Sequence, residues 1–466
     1  MLTLELGKSK NIPLYQQIYQ YIKQEVLTHR LKAGSRLPSK RALAAQLGIS
    51  TITVENAYGQ LMSEGYIYAK LKSGYYVSAL ENLAPPAPMA SAVSKTAQCI
   101  SSPKGTGIDL SSNSILPQSF PFSIWSRLLR RTMAEKQSLL LTKSPTAGIL
   151  PLRQAIASHL MSFRGMPVSP AQIIVGAGTE YLYELLIKLI GRDKLYCVED
   201  PGYQKLQHIY RDNGACCISL PIDHKGISVS ALGSVACDVL HISPSHHFPT
   251  GIITPVSRRY ELLAWAASEQ RYIIEDDYDT EFRLVGKPIP SLFSIDMSSK
   301  VIYMNTFSKS LASTIRISYM VLPQPLLEEF NRRFNYLSST VSTFEQYTLA
   351  SFIEQGYFER HINRMRNSYK KLRQLLLRAL TSHPEHNRIE ILQQASGLYF
   401  LLKIHTRLPD AALEDRLRQN GIHLQALQHF YQNRQAAPKH TFVVNYSSIT
   451  PNDIQKVTDA LFKSLK

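Results

Sequence analysis

A lysine flanked by hydroxyl residues is the first candidate for chemistry in the sequence. It is Lys309, which follows the apolar stretch VIYM at residues 301–304 together with Thr306 and Ser308. Polar groups just beyond the carboxyl end of a strand lie where open α/β sheets bind their ligands. A lysine there suits a Schiff base to an aldehyde cofactor. Alone the signal is weak, because most lysines that follow a strand are merely solvated.

A second apolar stretch, Tyr272–Ile274, runs into a cluster of carboxylates that contains Asp276 and is followed by Tyr278. We expect this strand to lie beside the one that precedes the lysine. An aspartate one strand away from the lysine suits the protonated nitrogen of a pyridinium ring, because a buried carboxylate keeps that nitrogen charged. The two strands together predict a site for an aldehyde cofactor with a pyridine ring.

Two further features predict a site for phosphate. Arg316 lies seven residues beyond the lysine and offers a planar fork to a dianion. The glycine-rich segment Gly176–Glu180 separates an apolar strand at 173–175 from the helical pattern YLYELLIKLI. Backbone amides at the N-terminus of a helix that follows such a loop bind phosphate. Because a glycine pair before a helix is often only a tight turn, the prediction depends on all these features together.

The length and composition indicate the class of protein that carries these groups. The chain has 466 residues, 44% of them hydrophobic and 19% charged, which is typical of a folded protein with about two to four domains. Five cysteines without a Cys-x-x-Cys pair argue against a disulfide framework and a zinc site, and we expect no metal. They fit a reducing cytoplasm. No apolar run approaches the roughly 20 residues that span a bilayer, so we expect no membrane association.

The charge is distributed unevenly along the chain. The formal net charge of +17 suggests a polyanionic partner. Residues 1–78 carry ten Lys or Arg against four Asp or Glu, so this segment is far more basic per residue than the rest. Residues 78–107 are rich in Pro, Ala and Ser and lack apolar periodicity, which indicates a linker. We therefore expect a small domain at 1–77 and a large domain at 108–466.

Three short helical patterns precede a hairpin in the small domain. Apolar spacing predicts a first helix that starts after the possible cap Asn11, has Pro13 in its first turn and ends near residue 30. Ser39 is expected to cap a second helix that ends at Gly48. Ser50 is expected to cap a third. The second and third helices therefore form a helix-turn-helix.

Two aromatic strands at 66–69 and 75–77 enclose a basic turn and predict a wing beside the helix-turn-helix. This arrangement places the N-terminus of the third helix at the major groove of double-stranded DNA. The alternative, a helical cap whose basic residues are merely solvated, accounts less well for helices, turn, wing and charge occurring together. The residues predicted to contact a DNA operator are Lys40, Arg41, Ser50, Thr51, Thr53, Lys70 and Lys72.

Residues 11–77 closely resemble a GntR-type winged helix through the motifs PLYQQIYQYI, LPSKRALAAQLGIS and EGYIYAKLKSGYYV. The large domain resembles a fold-type I aminotransferase, because EDPGY at 199–203 and SPSHHFPTG at 243–251 occur in the order that this family requires. The whole chain thereby resembles the MocR group of GntR regulators. The resemblance implies a multidomain protein, a small α+β winged helix-turn-helix followed by a large α/β domain like the class I/II aminotransferases.

The resemblance also implies pyridoxal 5′-phosphate (PLP) as cofactor and gives the candidate residues roles. Lys309 would form the internal aldimine, Asp276 would pair with the pyridine nitrogen, and Tyr278 would donate a hydrogen bond to the ring oxygen. Tyr203 would stack on the face of the ring. The residues that would hold the phosphate are Gly178, Thr179, Thr306 and Arg316.

Four positions depart from the pattern of the family. Thr51 stands where many relatives have an arginine that reads guanine, so base preference is not carried over. His247 stands where relatives often have glutamine. His423 lies about where amino-acid-binding relatives place an arginine for the substrate carboxylate, and Lys205 follows Tyr203 where some have another arginine. We assign no role to His423 or Lys205. Because neutral histidine binds a carboxylate more weakly, an amino-acid effector of the usual kind is in doubt.

Two functions are compatible with these residues. The first is a cytoplasmic transcription regulator that senses PLP or an amino-type effector, and the second is a working aminotransferase that carries a DNA-binding domain. The basic winged helix favours regulation, since an enzyme has no use for it. A DNA-binding protein with a cofactor-free scaffold would be expected to lack Lys309, which is present. The resemblance further implies a homodimer in which each DNA-binding head lies against the partner's large domain.

Overall fold

The computed structural model describes residues 12–79, 107–112, 115–284, 289–392 and 397–466. The chain divides into two compact units, Met1–Lys104 and Gly105–Lys466. The possible cap Asn11 and residues 80–106 of the predicted linker lie outside the described residues. Across the described ranges, no helix is long and apolar enough to cross a membrane.

The small unit contains three helices and a three-stranded antiparallel sheet. Its elements are α1 (Leu14–Leu27), β1 (Arg36–Leu37), α2 (Lys40–Leu47), α3 (Thr51–Ser63), β2 (Ile67–Lys70) and β3 (Gly74–Val77). The Ser39 hydroxyl accepts a hydrogen bond from the Ala42 amide, and the Ser50 hydroxyl accepts one from the Thr53 amide, which confirms both caps. The first helix differs from the prediction, because Pro13 precedes it as the cap residue and it ends three residues earlier.

The apolar faces of the three helices form the core of the small unit. Ile18 and Ile22 of α1 are buried against Val54, Tyr58 and Leu61 of α3. The sheet has the order β1-β3-β2, so the two-residue strand β1 adds to the predicted hairpin. This core fixes α3 between a tight turn and the wing, as a helix-turn-helix requires.

The large unit alternates strands and helices before a smaller C-terminal part. Its elements are β4 (Ile108–Asp109), α4 (Phe122–Glu135), α5 (Gln137–Leu140), α6 (Leu150–Arg164), β5 (Ile173–Gly176), α7 (Thr179–Ile190), β6 (Leu195–Asp200), α8 (Lys205–Asp212), β7 (Cys216–Asp223), β8 (Gly226–Ile227), α9 (Val229–Gly233), β9 (Val239–Ile242), α10 (Val256–Ala267), β10 (Tyr272–Asp276), α11 (Leu292–Ile295), β11 (Val301–Thr306), β12 (Ser318–Val321), α12 (Gln324–Phe334), α13 (Thr343–Glu354), α14 (Tyr357–Ser382), β13 (Ile389–Leu392), β14 (Tyr399–Ile404), α15 (Asp410–Gln419), β15 (Ile422–His423), β16 (Gln425–Ala426), β17 (Thr441–Asn445) and α16 (Ile454–Ser464).

An eight-stranded sheet with the order β5-β12-β11-β10-β9-β6-β7-β8 forms the centre of this unit. Strands β11, β10, β9, β6 and β7 run parallel, whereas β12 runs antiparallel to both β11 and β5. The parallel pairing of β10 with β11 confirms that the two predicted strands are neighbours. In β12, Ser318 pairs with both Thr306 and Gly176, so three strands meet in register at one edge of the sheet.

Helices cover both faces of the central sheet. One face packs against α6, α13 and α14, and the other packs against α7, α8 and α12. The C-terminal part adds an antiparallel sheet of order β13-β14-β17-β16 with α15 and α16. The central sheet therefore lies between two buried apolar layers. The predicted cofactor residues lie at one edge of this sheet.

Candidate functional site

A cavity of about 280 Å³ opens at the carboxyl edge of the parallel strands. Its walls come from the segments that follow β5, β6, β9, β10 and β11, as expected for an open α/β sheet. The candidate residues that line it are Thr179, Tyr203, Asp276, Tyr278, Thr306, Lys309 and Arg316. Gly178 does not line the cavity directly, but it lies against Arg316.

Asp276 presents one anchored oxygen and one oxygen without a partner. Tyr183 Oη donates a 2.6 Å hydrogen bond to Asp276 Oδ2, and His241 Nε2 lies 3.6 Å from the same atom. His241 is itself held by Tyr210 Oη, 2.8 Å from its Nδ1. Asp276 Oδ1 is buried and has no hydrogen-bond partner within the described part of the chain. A buried acceptor of this kind requires a donor, and a pyridinium N–H is such a donor.

The carboxylates around Asp276 have separate surroundings because side chains alternate along a strand. The Glu275 carboxylate accepts hydrogen bonds from the Leu292 and Phe293 amides, both at 3.0 Å. Asp277 forms a buried ion pair with Arg164. Asp276 therefore lines the cavity, whereas the carboxylates of Glu275 and Asp277 bind groups in the interior of the protein.

Lys309 and Tyr278 lie in the same cavity, and the pKa values of both side chains are shifted. Burial lowers the pKa of the Lys309 ammonium below its usual 10.5, and the Asp279 carboxylate partly opposes this shift. Burial holds the pKa of Tyr278 well above its usual value. A larger share of Lys309 is therefore in the neutral, nucleophilic form, and Tyr278 keeps its proton as a donor.

The backbone conformation of the segment before α7 favours glycine, and this glycine lies against Arg316. Gly178 has φ +91, and a Cβ atom there would clash with the Arg316 guanidinium. The same guanidinium lies 3.3 Å from Glu180 Oε2, and Glu180 also pairs with Lys205. The Cβ-free backbone, the helix start at Thr179 and the planar cation form a cradle suited to phosphate.

Thr306 contributes a hydroxyl whose hydrogen-bonding role is defined by its neighbours. Its Oγ1 accepts from the Ser308 amide at 3.1 Å and from Ser318 Oγ at 2.8 Å. Because a hydroxyl has two acceptor positions and one hydrogen, this leaves its hydrogen for donation toward an anion.

Several cavity residues were not identified from the sequence. Tyr183, His241 and Glu199 also line the cavity, and their only sequence signal was a position near the ends of predicted elements. His423 does not line the cavity; it belongs to β15, which pairs with β4, and its comparison with a carboxylate-binding arginine stays a prediction. Lys205 lies outside the cavity walls and pairs with Glu180.

The exposed surface of the small unit carries most of the predicted DNA contacts. Arg41, Lys70 and Lys72 are exposed, whereas Lys40 forms a 2.5 Å ion pair with Glu55. At the start of α3, the hydroxyls of the cap pair Ser50 and Thr53 lie 3.2 Å apart.

Thr51 is exposed beside that cap pair, and Ile52, which the sequence analysis did not single out, is 69% exposed. An apolar side chain at such a position can contact a thymine methyl group. This surface therefore combines basic, hydroxyl and apolar groups.

The fold and the cavity define the chain as a winged helix-turn-helix joined to a domain of aminotransferase fold. The family of bacterial regulatory proteins of the gntR type matches residues 14–77, and aminotransferase class I and II matches residues 106–461. The aminotransferase MsAT from Thermococcus profundus superposes with a TM-score of 0.68 at 24% identity, covering 78% of this chain and 92% of that chain. This likeness shows the fold of the large unit.

Relatives extend the match to nearly the whole chain. The HTH-type transcriptional regulator YdeL of Bacillus subtilis is 36% identical over 97% of this chain and 96% of its own. The probable rhizopine catabolism regulatory protein MocR of Rhizobium meliloti is 30% identical over 98% and 95%, respectively. The chain belongs to the MocR group of the GntR family of transcription regulators. Its role is regulatory, and its winged helix is a DNA-binding domain.

Proposed function

We propose that the large domain binds PLP and that the bound cofactor changes the affinity of the winged helix for its operator. The observation that carries this proposal is the buried, unpartnered Asp276 Oδ1 in the same cavity as Lys309. When bound, PLP supplies an aldehyde carbon for the lysine amine and a ring nitrogen for the carboxylate. Lys309 and Asp276 therefore fit the aldehyde group and the ring nitrogen of PLP.

The phosphate end of the cofactor is matched by a separate set of groups. Thr179 and Thr306 would donate backbone and hydroxyl hydrogens, and Arg316 would supply the charge. Gly178 would leave room for the phosphate because it has no Cβ atom, since its own amide donates to the Gly176 carbonyl. Tyr203, which is half exposed at the cavity mouth, would cover the face of the ring. In this assignment every cofactor-binding residue predicted from the sequence has a chemical task.

The charges of the cavity favour the cofactor itself, rather than an amino acid, as the signal. Within the described residues, Lys309 and Arg316 are the only lysine or arginine side chains that line it, and both have tasks on the cofactor. The other nearby cation, Lys205, pairs with Glu180. An α-carboxylate would thus lack a strong anchor, and a ligand shifts a conformational equilibrium only by its differential affinity.

We also propose that the protein binds operator DNA as a homodimer, with Arg41, Lys70 and Lys72 on phosphates and the start of α3 at base edges. Light scattering at micromolar concentration tests the dimer, and a monomer would contradict it. The exchange of DNA-binding heads between protomers stays a prediction, because the predicted linker lies outside the described residues.

Borohydride reduction of the PLP-treated protein tests the cofactor assignment. We expect absorbance at about 420 nm before reduction and, afterwards, a mass increase on the peptide that contains Lys309. Lys309→Ala should remove both signals. Lys205→Ala is the matched control, because it removes a lysine from the edge of the same site. A reduced adduct that survives in Lys309→Ala would show that the lysine is misassigned.

A further inference from the structure

Glu180 is an acidic residue in the wall of a cavity that is proposed to bind an anion. It is the second residue of α7, and its side chain lines the same cavity as Arg316. Its Oε2 atom lies 3.3 Å from Arg316 Nη2, and its Oε1 atom accepts a hydrogen bond from Lys205 Nζ. Two cations therefore share one carboxylate at the edge of the proposed phosphate cradle.

The carboxylate of Glu180 is ionised at neutral pH. The hydrogen bond from Lys205 lowers the pKa of Glu180 below its usual 4.5, and the charge of the Arg316 guanidinium lowers it further. A phosphate dianion bound to Arg316 would therefore lie close to another negative charge. Like charges at short range repel each other, so Glu180 opposes the binding of phosphate.

The contact between Glu180 and Arg316 is of a kind that a ligand can displace. The two side chains are 45% and 47% exposed, respectively, so solvent screens the ion pair and its net contribution to stability is small. The hydrogen bond joins Glu180 to one guanidinium nitrogen, Nη2. A phosphate has several terminal oxygens and a second charge, and it can bind both prongs of a guanidinium at once.

The N-terminus of α7 attracts both anions. Backbone N–H groups in the first turn of a helix carry a partial positive charge that favours acidic side chains and phosphate alike. Glu180 lies in this first turn, directly after Thr179, which is assigned to the phosphate. The carboxylate and the phosphate therefore compete for the field of the helix as well as for Arg316.

Lys205 gives the carboxylate a second partner. Its ammonium donates to Oε1 of Glu180, whereas Arg316 contacts Oε2, so one contact can break while the other remains. The hydrogen bond with Glu180 raises the pKa of Lys205, which keeps the ammonium charged. Lys205 lies outside the cavity walls. It can therefore hold the carboxylate without taking the place of the phosphate.

We propose that Glu180 competes with the cofactor phosphate for the Arg316 guanidinium and that Lys205 holds the displaced carboxylate. The inference rests on the proposed PLP site and gives that site a residue that weakens binding. A residue of this kind suits a sensor, because a sensor must release its ligand when the ligand concentration falls. A positioning role, in which Glu180 orients Arg316 for the phosphate, predicts the opposite effect on affinity.

Removing the charge of Glu180 while keeping its shape separates these two roles. We would measure the dissociation constants of PLP and of 5′-deoxypyridoxal, which keeps the ring and the aldehyde but has no phosphate. The full-length proteins are the wild type, Glu180→Gln, Lys205→Met and the double variant. Glu184→Gln is the matched control, because Glu184 lies on the same helix, is 42% exposed, pairs with Lys188 and does not line the cavity.

Glu180→Gln should bind PLP about 5-fold more tightly than the wild type, the upper range for an exposed ion pair. Its affinity for 5′-deoxypyridoxal should not change, and the gain for PLP should shrink at high salt because salt screens exposed charges. Lys205→Met should bind PLP several-fold more weakly, since Glu180 then has only Arg316 of its two cations. In the double variant the loss should disappear, because Lys205 acts through the carboxylate.

Three results would overturn the inference while leaving the cofactor assignment intact. The first is Glu180→Gln that binds PLP no more tightly than the wild type, as a positioning role predicts. The second is an equal gain in Glu184→Gln or for 5′-deoxypyridoxal. The third is a loss in Lys205→Met that persists in the double variant, because Lys205 would then attract the phosphate directly.

Lys205→Met also keeps the inference testable on its own. If Glu180→Gln does not fold, unchanged PLP affinity in Lys205→Met would overturn the competition, and a loss that is specific to PLP over 5′-deoxypyridoxal would support it. Wild-type protein that binds no PLP would instead overturn the proposed function.

Discussion

Gly178→Ala is a sharp perturbation of the proposed phosphate cradle. The new methyl group would clash with the Arg316 guanidinium, and the backbone would hold an alanine at φ +91. The second effect destabilises the fold by roughly 1–3 kcal/mol, because φ +91 with ψ 165 is a conformation that essentially only glycine adopts, and it acts equally with and without ligand. The first effect displaces Arg316, which removes a hydrogen bond to a charged group worth about 1.5–3 kcal/mol. PLP affinity should therefore fall by about 10- to 150-fold.

Gly165→Ala is the matched control for this experiment. Gly165 also has a left-handed backbone, with φ +64, but nothing lies within 4 Å of a Cβ atom built there. Denaturant titration should show both variants losing stability, with the larger loss in Gly178→Ala because ψ is 165 at Gly178 and 28 at Gly165. Fluorescence titration should show weaker PLP binding only in Gly178→Ala, whereas pyridoxal, which lacks the phosphate, should bind both variants like wild type. Wild-type PLP affinity in Gly178→Ala, or an equal loss in Gly165→Ala, would refute the cradle.

Three further predictions concern DNA, stability and the lysine. Because the proposed homodimer presents each residue to the DNA twice, Arg41→Ala and Lys70→Ala should each reduce the slope of log affinity against log salt by about 1.8 in anisotropy titrations, and a loss confined to one operator base would contradict a phosphate contact. Burial raises the pKa of Glu199 to about 8, so stability should fall as pH rises from about 4.5 to 8, and Glu199→Gln should flatten that slope in denaturant titrations. A slope unchanged by the substitution would be contrary evidence. The rate of PLP attachment should rise with pH with a midpoint below the ordinary lysine value of 10.5, because only neutral Lys309 reacts, and a midpoint at or above it would contradict the lowered pKa.

Local chemistry made several parts of the structure predictable from the sequence. Ser39 and Ser50 are followed by apolar helical spacing, and the structure shows both hydroxyls as helix caps. Asp276 and Lys309 end or follow apolar strands, so their position at the sheet edge follows from strand length and direction. Predictions of this kind succeed because capping and strand termination depend on a few adjacent residues.

Features that depend on long-range pairing were not predictable in the same way. The hydrogen bond between Tyr183 and Asp276 joins α7 to β10. These two segments lie far apart in the sequence, and no local motif predicts that they meet. The two-residue strand β1 exists only because it pairs with β3. The position of His423 depends on the pairing of β15 with β4, which its place in the chain does not reveal. Contacts between segments far apart in the chain, rather than local residue type, control these outcomes.

Operator affinity with and without PLP tests the central claim most directly. The same preparation of full-length protein would be stripped of cofactor, titrated with labelled operator DNA, and titrated again after PLP is restored. We predict a change in affinity of several-fold that is absent in Lys309→Ala and unaffected by a panel of amino acids added alone. Equal operator affinity in the presence and absence of PLP, together with a several-fold response to one amino acid, would contradict the account.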